Sequence, residues 1–307
     1  MAYGSQQKTA LIGLETTPGT TVTADKSVGI VREVSDTFSR ELRDIDSIGQ
    51  SQVVAIETGM EEVGHSLTID FQNGRLLDYA LGSVAHDDSD TPDILHTFSI
   101  NDSKPYFTLE SGEDGASDVT LTSGGNLIEN LELSIEINGV LQMSVTTRAL
   151  NLASGTSTSA AVVDTLATFP HSLVSIELDD TVVPEVQNFS ISIENSVVQT
   201  PGLGSNTYQS SQVTLTKFRF QGQIGVTNAT YQALVIANTE AKLELIASNE
   251  VTAGSGRREV YFRLDNCHFD SMEKTLSVGD LVFLNVSGSG EFNTAYTYDN
   301  ITEANWE

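Results

Sequence analysis

The sequence is poor in the residues on which covalent cross-links and many catalytic sites depend. Its 307 residues include one cysteine, Cys267, and one tryptophan, Trp306. A single cysteine excludes an intrachain disulfide framework, and Cys267 is expected to pack as a small apolar side chain. The chain must therefore obtain its stability from a packed core, and 307 residues are enough for two domains of about 120–150 residues each.

Familiar catalytic motifs are also absent. There is no glycine-rich phosphate loop ending in Lys-Ser or Lys-Thr, no His-Glu-x-x-His, no Cys-x-x-Cys and no Gly-x-Ser-x-Gly. Cys267 and His268 are neighbours, but adjacent residues of a strand point to opposite faces and cannot easily share a proton. We predict that the protein is not an enzyme and that it has no cofactor and no catalytic or metal-binding residues.

One acidic stretch could attract a hard cation. It runs from His86 to Asp93 and contains four aspartates. Its spacing lacks the Asp-x-Asp-x-Asp-Gly order of a calcium loop, and Pro92 marks a simple turn. We interpret this stretch as a solvated loop, and the sequence leaves cation binding there open.

Long apolar runs are missing as well. No stretch approaches the roughly 18–20 apolar residues that cross a bilayer, so no membrane association is expected. Residues 1–8 lack a basic segment followed by an apolar one, which argues against a secretory signal. Apolar residues instead form short alternating runs rich in Val, Ile, Ser and Thr, and this pattern predicts a mainly β fold.

Positive charge is scarce. The chain has 15 basic and 42 acidic residues and a net charge of −27. Such a surface repels nucleic acid, and two interpretations fit it. Carboxylates can hydrate a protein in concentrated salt, where screening cancels their repulsion. The excess of Arg over Lys favours this interpretation and a haloarchaeal source. Alternatively, the negative charge lines a channel through which DNA passes without binding.

What the sequence does contain is an apparent internal repeat. The alternating stretch 67–72 runs into residues 73–81, and the stretch 222–227 runs into 228–236. One constant offset pairs Ile69 with Ile224 and Asn73 with Asn228 without a gap. Alternation predicts a half-buried strand, and each Asn is placed to cap a short amphipathic helix. The two halves are therefore expected to share one strand–helix unit.

Weaker matches flank this unit. Val31–Phe38 resembles Val186–Ile193, and in each half a long polar connection follows, Arg40–Glu62 in the first and Glu194–Gln212 in the second. Downstream, the segment from Asn130 resembles that from Asn266, and a glycine turn and another strand follow each. Connections of about 20 residues are unusual in compact domains and generally serve function or an interface.

The N-terminal segment carries a resemblance to a known family. Gly13-Leu14-Glu15-Thr16-Thr17-Pro18-Gly19-Thr20, followed by residues 24–30, resembles the opening of phage-type tail tube proteins of tailed viruses. The order of arm, strand, long loop, strand, short helix and further strands is also similar to that of their tube domain. The similarity in residue sequence covers about the first 35 residues, and the similarity in the order of elements covers most of the chain.

The resemblance implies two tandem tail-tube-like β-sandwich or barrel domains, each with one short helix. It implies that inner sheets from several copies join into a closed barrel, that rings stack into a tube, and that a duplicated chain forms rings of three copies with six tube domains. Closure of strands from several copies also removes exposed sheet edges. The expected partners are the chain itself, other tail proteins at the tube ends and viral DNA that passes without specific binding. The expected location is the virion tail, assembled in the host cytoplasm.

We divide the chain into an N-terminal arm (1–30), a first tube domain (31–150), a linker (151–175), a second tube domain (176–292) and a C-terminal tail (293–307). The two long connections are predicted to contact neighbouring rings. The residues predicted for these contacts are Arg43, Asp46, Ile48, Val53, Ile56, Val198, Leu203 and Tyr208.

Two other functions stay open from sequence alone. The first is a secreted or cell-surface β-repeat protein of an envelope or adhesin, which the lack of a signal segment disfavours. The second is a carbohydrate-active enzyme, which would need paired carboxylates about 5–9 Å apart in a cleft. Aromatic residues often flank such a cleft; carboxylates are plentiful in this chain, but tryptophan is nearly absent.

Overall fold

The computed structural model describes residues 7–45, 55–114, 119–155, 166–183, 185–225, 240–249, 255–275 and 283–306. Within these ranges the chain forms seventeen strands, two short α-helices and one turn of 3-10 helix. The prediction of a mainly β fold is confirmed. None of the helices in these ranges has the length and apolar character needed to span a membrane.

Every strand pairing in the described ranges is antiparallel. Those of the first half are β1 (Gln7–Leu14), β2 (Lys26–Ser27), β3 (Ile30–Ile45), β4 (Ala55–Asp70), β5 (Gly82–Asp87), β6 (Ile94–Ile100), β7 (Phe107–Asp114), β8 (Val119–Glu136), β9 (Gln142–Ala149) and β10 (Asn151–Gly155). Those of the second half are β11 (Val174–Leu178), β12 (Thr181–Val182), β13 (Val186–Pro201), β14 (Tyr208–Gly225), β15 (Ala241–Ser248), β16 (Glu259–Thr275) and β17 (Phe283–Asp299).

Eight long strands form one continuous sheet, here called the long sheet. Its order is β3-β4-β9-β8-β13-β14-β17-β16. The first four strands come from the first half of the chain and the last four from the second half. The pairing of β8 with β13 is therefore the seam at which the two halves join.

The remaining strands form two shorter outer layers that share strands with the long sheet. In the first layer the order is β2-β1-β7-β8-β10, and in the second it is β12-β11-β15-β16-β17-β6-β5. Strand β8 belongs to the long sheet and to the first layer, and β16 and β17 belong to the long sheet and to the second layer. Because of these shared strands, the sheet curls over on itself and encloses the core. Hairpin β5–β6 of the first half pairs with β17 of the second half, which ties the halves together a second time.

The core lies between the long sheet and the outer layers. Alternating residues such as Leu131, Leu133, Ile191 and Ile193 point into it and are almost fully buried. This is the outcome that period-two alternation predicts for a sheet with one covered face. At about 25 cal/mol per Å² of apolar area removed from water, these positions supply most of the driving force for folding.

The predicted first helix is present as α1 (Arg75–Leu81). Gly74 occupies the N-cap position, and Asn73 Oδ1 accepts a hydrogen bond from the backbone N–H of Arg75 at 3.2 Å. Gly82 ends the helix with φ 101°, a left-handed conformation that glycine adopts without steric cost. The second predicted helix, after Asn228, lies outside the described residues.

The strand pairings of the first half recur in the second half. In β3–β4 Val31 lies opposite Ile69, and in β13–β14 Val186 lies opposite Ile224. Strands β13 and β14 follow their counterparts β3 and β4 by the same number of residues along the chain, and we call this number the first offset. A β-bulge directly follows this pair in both hairpins. Since bulges insert single residues at particular places, their recurrence at matching positions is a strong structural similarity between the halves.

Strands β16 and β17 follow their counterparts β8 and β9 by a smaller number of residues, which we call the second offset. Leu131 lies opposite Val145 in β8–β9, and Met272 lies opposite Val286 in β16–β17. The β7–β8 and β15–β16 pairs also share a bulge at matching positions. The sequence comparison aligned Asn130 with Asn266, whereas the strand register aligns Asn130 with Ser271. The sequence-based match of Asn130 with Asn266 is therefore wrong. It failed because the turns between successive strands differ in length between the two halves.

Several segments differ from the sequence-based interpretation. Most of Arg40–Glu62 and Glu194–Gln212, predicted as long connections, continue strands β3, β4, β13 and β14 as two-stranded hairpins. Residues 151–155, assigned to the linker, form β10, and residues 293–299, assigned to the tail, continue β17. The helix α2 (Glu303–Trp306) follows and ends the described chain.

Candidate functional site

The long sheet has a polar face opposite the core. On β13, for example, Ser190, Ser192 and Glu194 alternate with the buried Ile191 and Ile193. The same alternation on neighbouring strands produces a concave surface, here called the polar face. Its members from β8 to β17 include Glu132, Ser134, Ser190, Ser192, Glu194, Arg219, Gln221, Asn285 and Ser287. The surface is thus lined by hydroxyl, amide and carboxylate groups.

Arginines on the polar face are held by neighbouring carboxylates. Arg219 Nε lies 3.1 Å from Glu194 Oε2, and Arg148 Nε lies 3.0 Å from Glu129 Oε1. The hydrogen bond to Glu129 raises the pKa of Arg148. Glu132 adds a further carboxylate to the same face. A phosphate chain passing this surface would meet paired guanidinium groups and additional acidic charge, so tight phosphate binding is disfavoured.

Two hairpins extend beyond the long sheet. Hairpin 1 (residues 39–45 and 55–62) begins where the pairing of β4 with β9 ends, and hairpin 2 (residues 195–217) begins where the pairing of β13 with β8 ends. In hairpin 1 the strands continue to pair only with each other among the described residues. Both hairpins leave the sheet at equivalent places, as the first offset requires.

The hairpins contact each other within one chain. The backbone N–H of Glu61 donates to the Asn206 carbonyl at 2.8 Å, and Asn206 Nδ2 donates to Thr58 Oγ1 at 3.0 Å. On the first strand of hairpin 2, Gln199 Nε2 donates to the Ala149 carbonyl at 3.0 Å. The turn of hairpin 2 is therefore fixed against strand β4 of hairpin 1.

The predicted contact residues fall on these hairpins. Ile56 of hairpin 1 and Val198 and Leu203 of hairpin 2 are exposed, Tyr208 is half-buried, and Arg43 is exposed beside Glu41. Because the hairpins touch, the structure brings the two groups to the same end of the molecule. Three further predicted residues lie outside the described ranges, namely Asp46, Ile48 and Val53.

Sequence reasoning missed other exposed apolar residues on the hairpins. Leu42, Ile45 and Leu215 are between 38% and 62% exposed. Together with Ile56, Val198 and Leu203 they account for six of the twelve large apolar side chains that are exposed in the described chain. Exposed apolar residues gathered on projecting elements indicate an interaction surface.

The residues suited by type to other chemistry have structural roles. Cys267 is fully buried, and burial raises the pKa of its thiol to about 12, so it is not a nucleophile at neutral pH. Asp93 of the acidic stretch is buried and accepts hydrogen bonds from the backbone N–H groups of Ser255, Gly256 and Arg257. No group of three or more His, Cys, Asp and Glu side chains in the described ranges is arranged to hold a metal ion.

The arginines of the glycine-rich segment 254–258 are used within the chain. Arg257 pairs with Glu259, and its guanidinium carbon lies 3.9 Å from the centre of the Tyr298 ring. Arg258 donates to the Gln72 carbonyl at 2.7 Å. Both side chains therefore meet their partners inside one chain.

The C-terminal segment is packed against the first half of the chain. Trp306 is 3% exposed, and its ring stacks on His96 with the ring centres 4.0 Å apart. Arg75 of α1 is also buried and donates to the Asn305 carbonyl at 2.8 Å. The docked position of Trp306 thus closes the end of the core beside α1.

One comparison with known proteins identifies a relationship. A family model described as phage tail tube protein matches residues 5–290, which is nearly the whole chain. No curated protein matches the chain.

Proposed function

Because the chain belongs to the phage tail tube protein family, we propose that it is the repeating subunit of a tail tube in which three copies form each ring. Membership of the family makes it a structural protein of the virion tail that assembles with itself and with other tail proteins. The recurrence of strand registers in its two halves is the observation that supports the ring of three, because one chain then supplies two equivalent sectors of six. Closed rings arise when such heterologous contacts complete a rotation.

The polar face is proposed to line the channel. It is concave, it is rich in serine and carboxylate groups, and its arginines are paired. A wall of this kind lets DNA pass without the Lys and Arg contacts to phosphate that would hold it. The function is mechanical, and no residue performs covalent chemistry.

The hairpins are proposed to join one ring to the next. They project beyond the long sheet at the same end, and half of the exposed large apolar residues of the described chain lie on them. Burial of such side chains in a contact is favourable, whereas their exposure to water is costly.

The net charge of −27 supports a virus of a haloarchaeal host. In concentrated salt the repulsion between acidic subunits is screened over about 3 Å at 1 M, and rings can stack. The excess of Arg over Lys agrees with this proposal.

Electron microscopy of the purified protein in about 1 M salt tests the proposed function. We expect hollow stacked rings whose class averages have threefold symmetry and six similar sectors. Particles that remain single chains at every concentration would contradict a tube, and rings with six chains would contradict the duplicated sector.

A further inference from the structure

The long sheet contains one seam between the halves and two open edges. At the seam, β8 and β13 are antiparallel neighbours, with Ile193 opposite Leu131 and Ser192 opposite Glu132. Ile193 is 1% exposed and Leu131 is 0% exposed, so the seam is part of the core. At the ends of the sheet, β3 and β16 each have a hydrogen-bonding edge that no described residue occupies.

These two open edges are the counterparts of the two strands of the seam. β3 corresponds to β13 through the first offset, and β16 corresponds to β8 through the second offset. Among the described residues, β3 pairs only with β4, and β16 beyond Cys267 pairs only with β17. An unpaired strand edge is a template for pairing with another chain.

We infer that β3 of one copy pairs with β16 of the next copy in the register of the β8–β13 seam. This inference rests on the proposed function, because it gives the contact that closes the ring. Shifting the seam residues by the two offsets places Thr37 opposite Glu273, Phe38 opposite Met272 and Ser39 opposite Ser271. The partner is a second copy of this chain, and the pairing is antiparallel.

The burial of Phe38 and Met272 agrees with this register. Phe38 is 47% exposed and Met272 is half-buried, although their counterparts Ile193 and Leu131 are buried in the seam. Both side chains point to the core side of the long sheet. Pairing of the edges would cover them as the seam covers its own apolar pair.

The polar residues of the inferred pairing fall on the side of the polar face. Thr37 and Glu273 are exposed, and their counterparts Ser192 and Glu132 lie on the polar face. In the inferred register the polar face continues from one copy to the next without interruption. A slip by one residue between β3 and β16 would join the polar face of one copy to the core side of the next, so the two-sided pattern specifies the register.

A side-chain contact across the seam has a counterpart on β3. Asn195 is buried, and its Nδ2 donates to the Ile128 carbonyl of β8 and to the Ala80 carbonyl, both at 3.1 Å. The first offset places Arg40 at the position of Asn195. One nitrogen of Arg40 pairs with Glu61, and its guanidinium has further N–H donors. A cross-strand bond to the carbonyl of Phe269, the counterpart of Ile128, can therefore be formed in the ring.

Paired cysteines test the register. Thr37→Cys and Glu273→Cys are combined in one chain, assembled and oxidised, and the products are separated on a non-reducing gel. Directly opposite residues are about 4.5–5.5 Å apart, within the range of a disulfide, so we expect covalent oligomers that end at the closed ring and that reductant dissolves. Native Cys267 does not interfere, because it is fully buried.

Two matched pairs provide controls. Ser192→Cys with Glu132→Cys is the counterpart within the seam and should give an intrachain disulfide in every state of assembly. Thr37→Cys with Ser271→Cys is displaced along the same face by two residues, a diagonal of about 7–8 Å, and should cross-link roughly tenfold less. Equal cross-linking of this displaced pair would overturn the register.

Failure of the register and failure of the proposed function give different results. If rings form but only the control pair within the β8–β13 seam gives a disulfide, the inferred register is wrong and the proposed tube function still stands. If the unmodified protein never forms rings and no interchain disulfide appears, both proposals are wrong. Phe38→Asp provides a separate measurement, because Phe38 is exposed in the single chain: it should fold, as judged by circular dichroism, but form no rings. Normal ring formation by this variant would overturn the inference.

Discussion

A buried lysine ends helix α1. Lys104 Nζ donates to the carbonyl of Leu81, the last residue of the helix, at 2.6 Å. A cation at this place is favoured by the partial negative charge of the helix C-terminus. Burial nevertheless dominates and lowers the pKa of Lys104 to about 8, with a smaller opposing effect from Asp102. The Leu81 carbonyl also accepts from the backbone N–H of Asn101 at 2.8 Å, so the lysine adds a second hydrogen bond to this carbonyl at the cost of a buried charge.

This lysine gives a pH dependence of stability with a defined sign. Between about pH 8 and the unfolded value of 10.5, the unfolded chain binds more protons at Lys104 than the folded chain. The free energy of unfolding should therefore rise with pH across this window. Urea unfolding at several pH values, compared between the native chain and Lys104→Met, measures the difference.

Subtracting the Lys104→Met curve is necessary because other groups titrate in the opposite sense. The pKa of Cys267 is raised by burial to about 12, which makes stability fall as pH rises above the ordinary thiol value. Both chains share that effect. An identical slope in the two chains between about pH 8 and the unfolded lysine value would contradict the assignment to Lys104.

Single-residue predictions were most successful where a side chain follows a strong pattern. The alternation of Leu67 and Ile69 predicted buried positions, and both are fully buried. The cap at Asn73 was placed one residue early, since Gly74 holds the cap position and Asn73 accepts from the first helical N–H. The stacking of Trp306 on His96 joins residues far apart in the sequence, and no local pattern contains that information.

The two hairpins are the elements that differ most from expectation. Their sequences were interpreted as long polar loops because residues such as Arg40, Glu41 and Arg43 show no apolar alternation. Alternation reports burial of one face, and a strand exposed on both faces does not display it. The strands of hairpin 1 are exposed along most of their length, so their β structure depends on backbone pairing and on contact with hairpin 2.

Removal of apolar side chains from the hairpins should separate stacking from ring formation. Ile56→Ser combined with Leu203→Ser removes two exposed apolar groups, 63% and 105% exposed, without opening the core. We expect single rings with normal symmetry and tubes at least several-fold shorter in electron micrographs, because the contact loses about 1.5–3 kcal/mol per fully buried side chain.

The matched control is Val182→Ser on the outer strand β12, where the valine is 54% exposed. This variant should form tubes of normal length. Tubes of unchanged length in the Ile56 and Leu203 variant, or loss of rings together with stacking, would contradict the role proposed for the hairpins.

The repeat could be found from sequence only where the spacing is constant. The first offset holds through the whole of β3 and β4, and the sequence comparison located it at Ile69 and Ile224. Strands β8 and β9 recur at the second offset because the intervening segments differ in length. Pairing of β8 with β13 at the seam is a long-range contact, and the sequence patterns of the separate strands do not specify which edges meet.

At the scale of the whole molecule, charge is the dominant property. A net charge of −27 on 307 residues makes copies of the chain repel one another. Assembly should therefore strengthen as salt shortens the screening length from about 10 Å at 0.1 M to about 3 Å at 1 M. Light scattering during a NaCl titration measures the growth of tubes, and a sucrose series of equal osmolarity controls for effects of water activity. Tubes of equal length at low and high salt would contradict charge control of assembly.

The β8–β13 seam also has a kinetic consequence. Because both of its strands belong to one chain, this seam closes during folding at any protein concentration, whereas a β3–β16 contact must form by collision between copies. A ring of three copies has six seams, and three of them lie within single chains. These three are therefore formed before any two copies meet. Nucleation of a ring then has a lower reaction order than it would have for six separate single-sector chains, so a scarce protein can still begin a tube soon after synthesis.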